Sequence, residues 1–316
     1  MNGRRIIYVL EPFPNPHGGV AIIHRHVEIL NTHGISAYVH LPERPEVDFY
    51  QTTAPQLMGN VAFNVTDILV IPETLGWAMR QFKPTPLRKL LFCQNHNYLP
   101  PVSNPRDALF EWGVHGVIAS SEAIRAHLET RHGLADVPLL PCAVDPVRFA
   151  PVKDKKRQIA FMPRKLPADA SAIEASFKRA HSRFAAVPWV AIDSVSQTEA
   201  AQVLAESCVF LSLSSDESLG LPPLEAMASG CLVAGYHGEG GREYISDLNG
   251  WWAEAGDARA CVDGLAAALD LLDRRAPELE LRRAAMTQTV ARYSPQRMEA
   301  ALLDLWRVEL AKESDL

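Results

Sequence analysis

Short unbroken runs of apolar residues alternate along this chain with stretches whose apolar positions recur every three or four residues. Ile6 to Leu10 is such a run, the pattern of a strand covered on both faces in a parallel sheet. A turn rich in Pro, Asn and Gly follows, and then Val20, Ile23, Val27 and Leu30 fall on one helical stripe that Gly34 is placed to end. Residues 37–41 read as the next strand, and further strands are predicted at 68–71, 89–93, 116–119 and 138–140, with a helix over 121–131. Strand and helix in steady alternation predict an open parallel sheet.

Residues 150–157 break the rhythm with Pro, Lys, Asp and Arg, and read as a linker. A second series of strands is then expected at 158–162, 189–192, 208–213 and 231–235. From Ser294 a helix with Met298, Leu302, Leu305 and Leu310 on one stripe closes the chain. The fold class is therefore α/β, with two doubly wound sheets: a first domain over 1–150 and a second over 151–293, with 294–316 as the closing helix.

Composition narrows the function classes. At 316 residues, 47% hydrophobic and 22% charged, the chain has the make-up of a globular protein of two domains. A net charge of -6 argues against a nucleic-acid partner. No apolar stretch reaches the roughly 20 residues of a membrane span, and the N-terminal run is too short for a signal peptide. Membrane contact is expected to be peripheral at most. The five cysteines form no C-x-x-C pair and no even set, so neither a disulfide framework nor a zinc site is expected, and the cytoplasm is the default compartment.

The candidate chemistry is concentrated in residues 214–230, directly after a predicted buried strand and so at the carboxyl edge of a parallel sheet, where open α/β folds bind ligands. Pro222 and Pro223 suit the first turn of a short helix that Gly230 would stop. A helix N-terminus beneath the Ser218-Leu219-Gly220-Leu221 loop offers backbone amides to a phosphate. Glu217 and Glu225 flank that anion site, where each would repel phosphate. Each is better matched to neutral hydroxyls, with a charge-assisted bond worth about 1.5–3 kcal/mol. The pair would bracket a sugar nucleotide.

The spacing of Glu217 and Glu225 in this Ser/Gly/Pro setting resembles the signature of retaining GT-B glycosyltransferases, family 4 in particular. The segment Leu140 to Pro151 resembles that family's interdomain Pro-x-x-Val-Asp stretch, and Gly240 to Ile245 with Asn249-Gly250 resembles its glycine-rich loop and later Asn-Gly turn. The resemblance implies two Rossmann-like domains with a cleft between them, a closing helix that returns to the first domain, and closure about a hinge near 150–157. It implies that Glu225 holds the ribose hydroxyls and Glu217 contacts the donor sugar. Arg164 and Lys165, after a predicted strand, match the family's phosphate-binding Arg and Lys, although the family usually separates the two.

In the first domain, Gly18 and Gly19, next to His17, resemble the family's glycine loop, and the sequence there is not a dinucleotide G-x-G-x-x-G fingerprint. His96, just past a predicted strand, corresponds to a region where the family often has a histidine near the reacting carbon. His24 and His26, two apart on a helix, do not share a face and make a poor metal pair. The implied activity is a metal-independent, retaining hexosyl transfer with no bound cofactor. The donor would be a nucleotide sugar, and the acceptor a hydroxyl of a glycan, a lipid-linked sugar or a small molecule. A GT-B nucleotide-sugar epimerase and a catalytically silent sugar-nucleotide-binding protein are the alternatives.

Overall fold

The computed structural model describes residues 3–12, 18–46, 50 and 52–312. The chain divides into two compact units, Met1–Ala143 with Gln296–Leu316, and Val144–Pro295.

The first unit contains β1 (Ile6–Val9), α1 (Gly18–Thr32), β2 (Ala37–Leu41), β3 (Gln56–Met58), β4 (Ile68–Pro72), α2 (Gly76–Phe82), β5 (Arg88–Cys93), α3 (Ala108–Trp112), β6 (Gly116–Ala119) and α4 (Glu122–His132). Its strands lie in the order β3-β2-β1-β4-β5-β6, and all pairings are parallel. β1 and β4 are buried at every position, which is why both read as continuous apolar runs. Ser121 caps α4 by accepting the Ile124 amide, and Gly133 ends that helix in the left-handed region at φ 62°.

The second unit contains β7 (Lys156–Phe161), α5 (Pro167–Ala180), β8 (Trp189–Ala191), α6 (Gln197–Glu206), β9 (Ser207–Ser214), α7 (Leu221–Ala228), β10 (Leu232–His237), α8 (Gly238–Gly241), β11 (Trp251–Ala253), α9 (Ala258–Arg274) and α10 (Glu278–Ala291). The order is β11-β10-β9-β7-β8, again parallel throughout. α6 begins with a capping box in which Ser196 and Glu199 satisfy each other's amides.

The last helix, α11 (Pro295–Ala311), belongs almost wholly to the first unit. Its fully buried Trp306 meets Tyr8 of β1 edge-on at 6.4 Å, and Glu309 accepts from Arg88 Nη2 of β5 at 2.7 Å.

Three expectations need correction. Residues 138–140 make only an isolated bridge, Ala119 to Leu139, because Pro138 and Pro141 lack the amides that would extend the ladder. The expected linker over 150–157 already contains the first two residues of β7. Gly18 and Gly19 are the opening residues of α1 and do not form a loop; the neighbouring His17 lies outside the described residues.

Candidate active site

In each sheet the strand order reverses once, and the carboxyl ends of the two strands that flank the reversal form the crevice where such folds bind ligands. In the second unit those strands are β7 and β9. Arg164 and Lys165 follow β7 in a turn closed by the Leu166 amide on the Pro163 carbonyl at 3.0 Å. Glu217 follows β9. Lys165 Nζ lies 2.7 Å from Glu217 Oε1, with the two side chains 31% and 19% exposed. Arg164 is exposed, with no ion pair among the described residues.

The segment from Ser215 to Gly220 is fastened to α8. Gly240 donates its amide to the Glu217 carbonyl at 2.9 Å, and the Glu239 amide reaches the Ser215 carbonyl at 3.3 Å. Gly240 approaches so closely that a Cβ there would stand 2.1 Å from the Ser218 carbonyl carbon and oxygen. Gly220 caps α7 at φ 75°, a left-handed conformation that favours glycine, and its carbonyl accepts from the Tyr244 hydroxyl at 3.0 Å. Ser218, Leu219 and Gly220 are buried and Leu221 is half-buried. Because Pro222 and Pro223 have no N–H, the backbone donors of this helix end are the amides of Gly220 and Leu221. Gly230, at φ 76°, follows the helix as its spacing predicts.

Glu225 is half-buried on α7, and its carboxyl is pushed up to about 7, first by loss of water around it and then by the charge of Glu217; Arg148 acts in the opposite direction. Near neutral pH Glu225 is thus able to donate as well as accept a hydrogen bond. His237, at the carboxyl end of β10, is also buried, with Nε2 3.4 Å from Glu254 Oε1. Sequence reasoning gave no role to His237 or Tyr244. The signal for His237 was its position at a strand's carboxyl end; nothing local in sequence announces the Tyr244 contact.

In the first unit the crevice lies at the ends of β1 and β4. Glu11 follows β1 and accepts from Trp77 Nε1 at 2.9 Å. Glu73 follows β4, is 3% exposed, and accepts the Asn95 amide at 2.8 Å. Burial pushes its carboxyl up to about 7 against the pull of backbone amides. Gln94 Nε2 donates to the Gly19 carbonyl at 3.1 Å, so Gly18 and Gly19 and the end of β5 share one edge. His96, in a short helical turn His96–Tyr98, is buried and stacks on His127 with ring centroids 4.3 Å apart. Glu11 and Glu73, which the sequence reading gave no role, both directly follow a buried strand, and that position is the signal by which they are found. Among the described residues, no group of three or more His, Cys, Asp or Glu is arranged to hold a metal ion.

An alpha-1,6-glucosyltransferase of Actinobacillus pleuropneumoniae serotype 7 (strain AP76) is 27% identical over 268 residues, which cover 80% of each chain. The crystal structure of a glycosyltransferase from Rickettsia africae ESF-5 superposes with a TM-score of 0.72 at 15% identity, covering 99% of this chain and 100% of that one. Anabaena HepE in complex with UDP superposes with a TM-score of 0.68 at 13% identity, covering 96% of this chain and 100% of that one. Residues 184–282 match the family described as glycosyl transferases group 1, a stretch that includes Glu217, Glu225 and the loop between them. The chain thus carries a stretch similar to glycosyl transferases group 1, within a fold of two parallel-sheet units that superposes on solved glycosyltransferases.

Proposed function

We propose that the chain transfers a hexosyl group, with retention of anomeric configuration, from a nucleoside-diphosphate sugar bound by the second unit to a hydroxyl acceptor bound by the first. The observation that carries this reading is the grouping of Lys165, Glu217 and the amide end of α7 at the crevice of the second sheet, with Glu225 close enough to feel the charge of Glu217. Cations and amides suit a diphosphate, and acids suit the hydroxyls of ribose and sugar. The UDP bound to Anabaena HepE and the glucosyl transfer named for the Actinobacillus relative support a nucleotide donor and a hexose.

In the reaction the bond from the anomeric carbon to the phosphate oxygen breaks and a bond to the acceptor oxygen forms on the same face. The acceptor's proton passes to an oxygen of the leaving phosphate. Arg164, Lys165 and the amides of Gly220 and Leu221 meet the charge that develops on the diphosphate, so that no resident metal is needed for it. Glu217 orients the transferred sugar and Glu225 the ribose. Gly18 and Gly19 contribute to donor binding, and His96 acts near the reacting carbon. The acceptor is a glycan, lipid-linked sugar or small molecule bearing a free hydroxyl. Five cysteines, none joined in a disulfide and four of them buried, suit a reducing cytoplasm.

A thermal-shift panel of UDP, GDP, ADP, CDP and dTDP, followed by assays with the sugar nucleotides of the base that binds, tests this reading. Glu217→Gln is expected to abolish transfer without weakening nucleotide binding. Undiminished turnover in that variant, or no stabilisation by any member of the panel, overturns it. Incubation without acceptor separates transfer from epimerisation, since an epimerase alters the sugar nucleotide alone.

A further inference from the structure

Lys165 and Glu217 satisfy each other. The ammonium sits 2.7 Å from Glu217 Oε1, and neither side chain has another ion pair among the described residues. The two reach the contact from different strand ends: Lys165 from the turn after β7, and Glu217 from a segment fastened by the amide of Gly240. The other carboxylate oxygen, Oε2, faces Gly220, where a Cβ would stand 3.3 Å away. The acid read as the sugar contact is therefore paired with the cation read as the phosphate contact.

We infer that this ion pair is an internal latch that makes recognition of the donor's sugar conditional on its diphosphate. A sugar hydroxyl is neutral and competes poorly with an ammonium for a half-buried carboxylate. A diphosphate presents several anionic oxygens to Lys165 and draws it away by charge-assisted bonds. Glu217 is then released for the sugar hydroxyls. Free sugars and sugar monophosphates, which offer less charge at that point, leave the latch closed, so the site selects nucleoside-diphosphate sugars as a class. Coupling of this kind is reciprocal: whatever removes Glu217 from Lys165 must also favour the diphosphate. The inference rests on the donor-binding reading above and adds the order in which its two contacts form.

The test is a double-mutant cycle read by calorimetric affinity for the tightest-binding nucleoside diphosphate among UDP, GDP, ADP, CDP and dTDP, on the full chain. Glu217→Gln frees Lys165 from its internal partner, and the affinity is expected to rise by about fivefold or more. Lys165→Met, which keeps the length and removes the charge, is expected to weaken binding. In that background Glu217→Gln should change affinity by less than about twofold, the limit of independent effects. An equal gain in both backgrounds means that Glu217 merely repels the diphosphate, and no gain in the first means that the pair holds nothing back; either result overturns the latch. Lys165→Gln repeats the cycle if the Met variant melts early. Failure of every nucleotide to bind the unmodified chain rejects instead the donor reading on which the latch rests.

Discussion

The Tyr244 hydroxyl donates to the Gly220 carbonyl at 3.0 Å, joining the glycine-rich stretch after β10 to the residue that caps α7. Tyr244 is buried, and desolvation followed by the charge of Glu217 raises its phenol well above its ordinary range, so it acts as a neutral donor. Tyr244→Phe keeps the ring and removes only this bond. Stability is expected to fall by about 1 kcal/mol, measured by urea unfolding. Because the lost bond fixes the segment that carries Glu217, turnover should fall more than nucleotide affinity does. Parallel losses in both would assign Tyr244 to folding alone.

Gly240 gives a second handle on the same segment. A methyl group there would meet Ser218 backbone at 2.1 Å, and backbone has no rotamer by which to yield. Gly240→Ala must push the segment outward or break the amide bond from Gly240 to Glu217. The expected cost is about 1–3 kcal/mol of stability. Misplacement of Glu217 on the scale of an ångström should lower turnover by about a hundredfold. Melting temperature and steady-state rate of this variant check the two effects separately.

The strands that flank the first crevice were legible because burial on both faces writes an unbroken apolar run, as at β1 and β4, while β9 shows a largely apolar run interrupted by Ser212. β3, with three residues and two of them exposed, has no such signature. Nor does the brief β11. α2 escaped because Leu75 caps it without a side-chain bond, leaving no start signal. Arg164, Lys165 and Glu217 were placed at the second crevice by one rule, that residues just past a buried strand lie at the edge where open α/β folds bind ligands, and Glu225 by its spacing from Glu217. The rule found Lys165 and Glu217, but not their contact, which depends on β7 and β9 being neighbours although β8 lies between them in sequence. Tyr244 and Gly240 were invisible as supports for the same reason: their partners lie over 20 residues away in the chain.

Glu73 gives the first unit a measurable response to pH. Its carboxyl is pushed up to about 7 in the folded chain, from an ordinary value of 4.5. The folded chain therefore keeps a proton that the unfolded chain releases between those values. The stability associated with that proton is complete below pH 4.5 and is lost as pH rises through 7, an effect on the order of 3 kcal/mol. Glu73→Gln removes the titration while keeping an acceptor for the Asn95 amide. The variant should gain on the unmodified chain between pH 5 and pH 8 in chemical unfolding experiments. A difference between the two proteins that stays constant across that range would show that Glu73 does not titrate there.

Asn249 is 1% exposed, and its amide is fully used: Nδ2 donates to the Tyr244 carbonyl at 2.7 Å and to Thr289 Oγ1 at 3.0 Å, while Oδ1 accepts from the Ser246 amide and from Trp252 Nε1, each at 2.9 Å. Replacement by Ala removes bonds to four residues at once, two of them, Tyr244 and Thr289, buried, and the expected loss is about 3 kcal/mol or more. Asn249→Asp preserves the shape but replaces the donor amide nitrogen with an acceptor oxygen facing the Tyr244 carbonyl. It should be least harmful at acid pH, where the carboxyl regains a proton to donate, and worsen as pH rises. Urea unfolding of both variants at pH 5 and pH 8 separates the contributions, since only the Asp variant is expected to change its deficit with pH. Tyr244 also holds Gly220, so nucleotide affinity should weaken in both variants under conditions where they remain folded. Intact affinity in a folded Asn249→Ala protein would show that the hub and the α7 cap are uncoupled.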